Sequence, residues 1–120
     1  MGVVSRRKYE RISTNIPCTI YGLKDFGILC KIRDVSENGV GLYVSKQRYF
    51  SQTIRRGDCL EVDFCDFLVY GETSREVRLS VEATVAFIQE DDDFFAIGCE
   101  VKSPEYFEYV SSKKQMEGQN

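Results

Sequence analysis

Apolar residues fall on every second position along much of the chain, and the clearest run is 77–87. There Val77, Leu79, Val81, Ala83, Val85 and Phe87 share one side, while Arg78, Ser80, Glu82 and Thr84 share the other. A period of two with one apolar face is the pattern of a strand in an antiparallel sheet with one side in water. Leu60, Val62 and Phe64 repeat it within 59–65, and residues 95–101 repeat it again. Residues 18–21, closed by Gly22, and residues 27–35 are rich in β-branched and apolar side chains and predict two earlier strands, with Pro17 opening the first.

Ser36-Glu37-Asn38-Gly39 is a turn signal, because Asn and Gly accept the positive φ that a tight reversal demands. Residues 40–44 return as the partner strand, so 27–44 reads as a β-hairpin with this turn at its tip. Residues 46–56, including Tyr49-Phe50, are polar and irregular and predict a connection across one end of the sheet. Asp91-Asp92-Asp93 reads as a solvated hairpin turn rather than a metal site. Ser103-Pro104 supplies an N-cap and a first helical residue for a short helix over 105–110, followed by a polar tail from Lys113.

Residues 1–16 show neither a helical nor a two-residue period, and are expected to form an exposed, mobile N-terminal arm. With about six strands and too little helix to cover a parallel sheet, the chain is expected to be all-β. A small antiparallel barrel or sandwich fits, and closure into a barrel removes exposed edges. The expected organisation is one domain: an arm over 1–16, a barrel over 17–103, and a short helix with a polar tail over 104–120.

Length and composition agree with this. The chain has 120 residues, 42% hydrophobic and 29% charged, which suits one modest core and not two. It has no run of 18 apolar residues and no secretory pattern at its start, so a soluble, cytoplasmic protein without membrane insertion is expected. Five scattered cysteines without histidine argue against a zinc site, and each sits among apolar neighbours as a small buried hydrophobe would. No metal, cofactor or catalytic group is expected: histidine is absent, and no phosphate-binding glycine loop or nucleophile beside a base is visible.

Charge changes the picture more. Residues 1–33 hold seven Lys/Arg against two acids, whereas the rest of the chain is acidic and the overall net charge is −3. A local positive site for a small anion fits that distribution better than a broad nucleic-acid surface, so neither DNA nor RNA is an expected partner. Arg7 and Arg11 stand four apart, directly behind Arg6. A guanidinium can bind phosphate bidentately, stack on a base, or pair with guanine O6 and N7.

At the hairpin tip, the Asp34 carboxylate suits the N1–H and N2–H₂ edge of guanine. Ser36 can donate to a phosphate or a base, and Gly39 permits close backbone approach and conformational freedom. From composition alone an Arg-x-x-x-Arg pair is expected about 0.65 times and an Asp-x-Ser-x-x-Gly run about 0.05 times in such a chain. The second is the informative one, and the two together in this order are more so.

Arg7-Lys8-Tyr9-Glu10-Arg11 followed by Asp34-Val35-Ser36-Glu37-Asn38-Gly39 resembles the signature of the PilZ domain, a bacterial family of six-stranded β-barrels that bind the second messenger cyclic di-GMP. The late strand over 95–101 and the C-terminal helix are also similar, so the resemblance covers roughly residues 5–110. It implies that Arg7 and Arg11 grip phosphate and guanine while Asp34, Ser36 and Gly39 hold the ligand from the barrel surface. In the family the position of Arg6 influences whether one ligand or a stacked pair is held, and an arginine there leans toward the pair. The expected function is a receptor whose arm orders on the ligand and presents a surface to an effector protein. Two alternatives use the same barrel: a ligand-independent interaction module presenting exposed aromatics, and an OB-type nucleic-acid binder, which a sequence pI near 5.0 disfavours.

Overall fold

The computed structural model describes residues 9–22, 27–49 and 54–117. Its strands are β1 (Ile12–Tyr21), β2 (Gly27–Ser36), β3 (Gly39–Ser45), β4 (Cys59–Tyr70), β5 (Thr73–Glu90) and β6 (Phe94–Val101). A single helical turn, α1 (Lys46–Tyr49), follows β3, and α2 (Pro104–Glu117) closes the chain. The strands pair antiparallel in the order β1-β2-β3-β6-β5-β4, and pairing of β1 with β4 from Cys18–Phe64 to Tyr21–Glu61 closes the barrel.

Inward residues of every strand meet in one core. Ile20, Ile32, Leu42, Val62, Val85 and Ile97 are all buried within it. Burying such a side chain stabilises the fold by roughly 1.5–3 kcal/mol. α2 adds Tyr106, Tyr109 and Val110 to the same core, with the Tyr109 ring 5.4 Å from that of Phe64. Among the described residues no helix is long and apolar enough to cross a membrane.

Several elements extend beyond their expected limits, and the reasons are local. β1 starts at Ile12, inside the stretch expected to be arm. Ile12, Ile16, Cys18 and Ile20 do keep a period of two, but Ser13, Thr14 and Asn15 disguise its first half. A register shift lies between Ser13 and Ile16, and there the Thr14 hydroxyl donates to the Ile32 carbonyl at 2.5 Å. Pro17 sits within the strand rather than opening it. The β4 partner of β1 begins only at Cys18, so a position without an N–H is tolerated at Pro17.

α2 runs to Glu117, through residues expected to be a polar tail. Ser103 caps it, its Oγ accepting from the Tyr106 N–H at 3.2 Å. Its second half is held by acids distant in sequence: Lys113 pairs with Asp66 at 2.9 Å and Lys114 with Glu37 at 2.6 Å.

The expectation that all five cysteines are buried holds for Cys18 and Cys99 but not for Cys59, which is exposed. Cys59 stands one residue before buried Leu60 and therefore on the outer face of β4. Apolar neighbours mark a strand; they do not mark its side.

Candidate functional site

The β2–β3 hairpin carries the second motif, and its pairing determines what that motif can do. Across the strands Asp34 faces Gly41, Val35 faces Val40 and Ser36 faces Gly39, with a register shift between Ile32 and Asp34. Arg33 Nε donates to Asp34 Oδ2 at 2.8 Å, and Arg11 Nη1 lies 3.7 Å from Asp34 Oδ1. One carboxylate, 14% exposed, therefore holds two guanidinium groups, one from its own strand and one from the chain just ahead of β1. Burial alone would lower the pKa of Arg33, but hydrogen bonds with Tyr43 and Asp34 outweigh it and raise the value above that of a free guanidinium.

Ser36 is buried, and its Oγ donates to Asn38 Oδ1 at 3.1 Å, which ties the turn to itself. Two further bonds fix the turn from outside. The Val101 N–H donates to the Asn38 carbonyl at 2.9 Å, and the Tyr106 hydroxyl donates to the Gly39 carbonyl at 2.6 Å. Burial pushes the Tyr106 phenol well above its ordinary pKa of 10.0, so it remains a donor at any physiological pH.

Gly39 was expected to supply both a positive φ and close approach, and only the second applies. Among the described residues the glycines with positive φ are Gly57 and Gly71, which turn the chain ahead of β4 and between β4 and β5. At Gly39 the reason is space: a β-carbon there would stand 3.1 Å from the Cys99 carbonyl oxygen.

Beside the hairpin tip lies an open groove of about 330 Å³. Tyr9, Arg11, Ser36, Gly39, Phe87 and Glu100 are among the residues that line it. Of the residues singled out in the sequence, the structure thus brings Arg11, Ser36 and Gly39 to one groove and places Asp34 against Arg11. Arg6 and Arg7 lie outside the described residues. Tyr9, between the two motif arginines in sequence, packs edge-on against Phe107 of α2 with ring centroids 5.6 Å apart.

Phe87 and Glu100 were not singled out as site residues. The pattern assigned Phe87 to the core face of β5, but a register shift between Val85 and Phe87 turns it outward, where it is 37% exposed. Its ring covers Gly98, where a β-carbon would overlap it, so the aromatic plane can lie flat on the sheet. The isolated glycines Gly41 and Gly98 were the available signal, since a glycine inside a strand marks a close approach. Chemically the groove combines a permanent cation, an aromatic surface, a carboxylate and a buried hydroxyl. That set suits an anionic ligand bearing a flat, hydrogen-bonding ring.

The PilZ domain family model matches residues 5–106. The fold is shared with the PilZ domain of YcgR from Escherichia coli with c-di-GMP, at a TM-score of 0.66 and 14% identity, covering 96% of this chain and 94% of that one. It is shared with the K. pneumonia MrkH–c-di-GMP complex at 0.68 and 15% identity, covering 98% of this chain and 55% of that one. The Bacillus subtilis inhibitor of motility MotI/DgrA gives 0.67 and 17% identity, with 98% and 55% covered. The chain thus spans about half the length of the MrkH and MotI chains. No curated protein sequence is significantly similar to it. By the match over residues 5–106, the chain belongs to the PilZ domain family.

Proposed function

We propose that this chain is a receptor for cyclic di-GMP, which it binds without chemical conversion at the groove beside the hairpin tip. The observation that carries the reading is the Arg11–Asp34 pair at 3.7 Å, in which the arginine motif and the hairpin motif meet at one site. Membership of the PilZ family and the c-di-GMP held by the YcgR and MrkH structures support it.

In this reading Arg7 and Arg11 take the phosphodiesters and a guanine face, because a guanidinium offers both a bidentate fork and a stacking plane. Asp34 keeps Arg11 in position and offers its remaining lone pairs to the ligand, while Ser36 and Gly39 form the surface on which it rests. Arg6 adds a third cation, which favours a stacked pair of ligands carrying four phosphate charges. Binding draws the N-terminal arm, which carries Arg6 and Arg7, over the ligand. Ion pairing and stacking with the ligand offset the arm's lost entropy, and the closed arm with α2 forms a new surface for an effector protein. A thermal melt of the purified chain tests ligand identity: a ligand that binds only the folded state at about 100 times its Kd adds roughly 2.7 kcal/mol of stability. Cyclic di-GMP is expected to raise the Tm and cyclic di-AMP to leave it unchanged; equal shifts with both would refute a guanine-reading site.

A further inference from the structure

The groove contains a carboxylate that belongs to neither motif. Glu100 stands on β6 directly opposite Gly39 across the β3–β6 pair and lines the groove together with Arg11 and Ser36. Its ion pair is with Lys102, whose Nζ is 3.5 Å away, and the two side chains are 57% and 85% exposed. An exposed pair of this kind holds its partners only weakly, so it leaves the carboxylate available to a ligand. Asp34 differs: its oxygens are engaged by Arg33 at 2.8 Å and approached by Arg11 at 3.7 Å.

Resting on the cyclic di-GMP reading, we propose that Glu100 is a specificity residue of the groove, accepting hydrogen bonds from the N1–H and N2–H₂ edge of one guanine while that base lies along Phe87. Two acceptor oxygens match two adjacent donors on guanine, whereas adenine presents an acceptor at N1. The charge also orients the ligand. A carboxylate on β6 repels phosphodiesters toward Arg11 and leaves the β6 end of the groove to a neutral base. Phe87, flattened on Gly98, offers that base an apolar surface beside the carboxylate.

Calorimetric titration of the whole chain with cyclic di-GMP, and with cyclic di-IMP, which lacks the N2 amino group, tests this. Glu100→Gln is expected to weaken cyclic di-GMP binding by roughly tenfold or more, the scale of a lost bidentate base contact. It should also narrow the preference for cyclic di-GMP over cyclic di-IMP. Lys102→Ala, which breaks only the exposed pair, should stay within about twofold of the parent chain. Unchanged affinity and preference in Glu100→Gln would overturn this inference alone. So would tighter binding, the sign expected if Glu100 merely repelled phosphates. Absence of binding by the unmodified chain would overturn the receptor reading and this inference with it.

Discussion

The Asp34 carboxylate rests on Gly41: its Oδ1 lies 2.6 Å from where a β-carbon at position 41 would stand. The two residues are partners across the β2–β3 pair, so the missing side chain of one makes room for the charged group of the other. Because Arg33 and Arg11 converge on that carboxylate, the glycine indirectly positions both guanidinium groups. Gly41→Ala is therefore expected to displace Asp34, weaken cyclic di-GMP binding by about tenfold, and cost about 1–3 kcal/mol of stability through local crowding. Titration and denaturant unfolding of the same variant check both figures. Unaltered binding would mean that the Asp34 position does not matter to the site.

Tyr106 links α2 to the hairpin tip through its hydroxyl, which donates to the Gly39 carbonyl at 2.6 Å from a fully buried side chain. Tyr106→Phe keeps the packing and leaves that carbonyl without its partner, at an expected cost of about 1–3 kcal/mol. Urea unfolding measures the loss, and amide exchange at Asn38 and Gly39 should speed up with it. A variant as stable as the parent would show that the bond contributes nothing net to holding the tip.

Alkaline pH should destabilise the barrel. Burial pushes the Cys99 thiol up from 9.0 to about 12, and burial likewise raises the Tyr106 phenol. Both groups release their protons more readily in the unfolded chain, so the folded state binds more protons there and stability falls as pH rises. Their contribution is complete below about pH 8.5 and is lost progressively from there toward 12, at about 1.4 kcal/mol per pH unit for each proton held only by the fold. Urea midpoints measured from pH 8 upward should decline, and less steeply in Cys99→Ala. The slope is the informative quantity, because the truncation itself lowers stability at every pH. A profile that stays flat above pH 9 would contradict this account.

How far the sequence could be read depended on whether the cause was local. The strands at β4, β5 and β6 were visible because side chains alternate about the sheet, β2 because β-branched and apolar residues fill it, and the hairpin tip with its return strand β3 because Asp, Ser, Asn and Gly cluster at the turn. The start of β1 was hidden by polar Ser13, Thr14 and Asn15, and the second half of α2 by lysines whose partners, Asp66 and Glu37, are 47 and 77 residues away. The outward turn of Phe87 follows from a register shift against β6, which no period within β5 reveals. The candidate site residues show the same division. Arg11, Asp34, Ser36 and Gly39 sit in spaced motifs, whereas Glu100 is one acid on one strand and gains meaning only from standing opposite Gly39.

The central claim is that the arginine motif and the hairpin tip together hold cyclic di-GMP. Isothermal titration of the purified chain and of Arg7→Ala and Arg11→Ala tests it most directly. The Arg11 side chain is 30% exposed and its pair with Asp34 is long, so its loss should change stability by no more than about 1 kcal/mol. The account predicts saturable binding by the parent chain, at one or two ligands per chain according to the part played by Arg6, and its abolition in both variants with the melting temperature kept. No binding at high micromolar ligand with the fold intact, or full binding without either arginine, would contradict it.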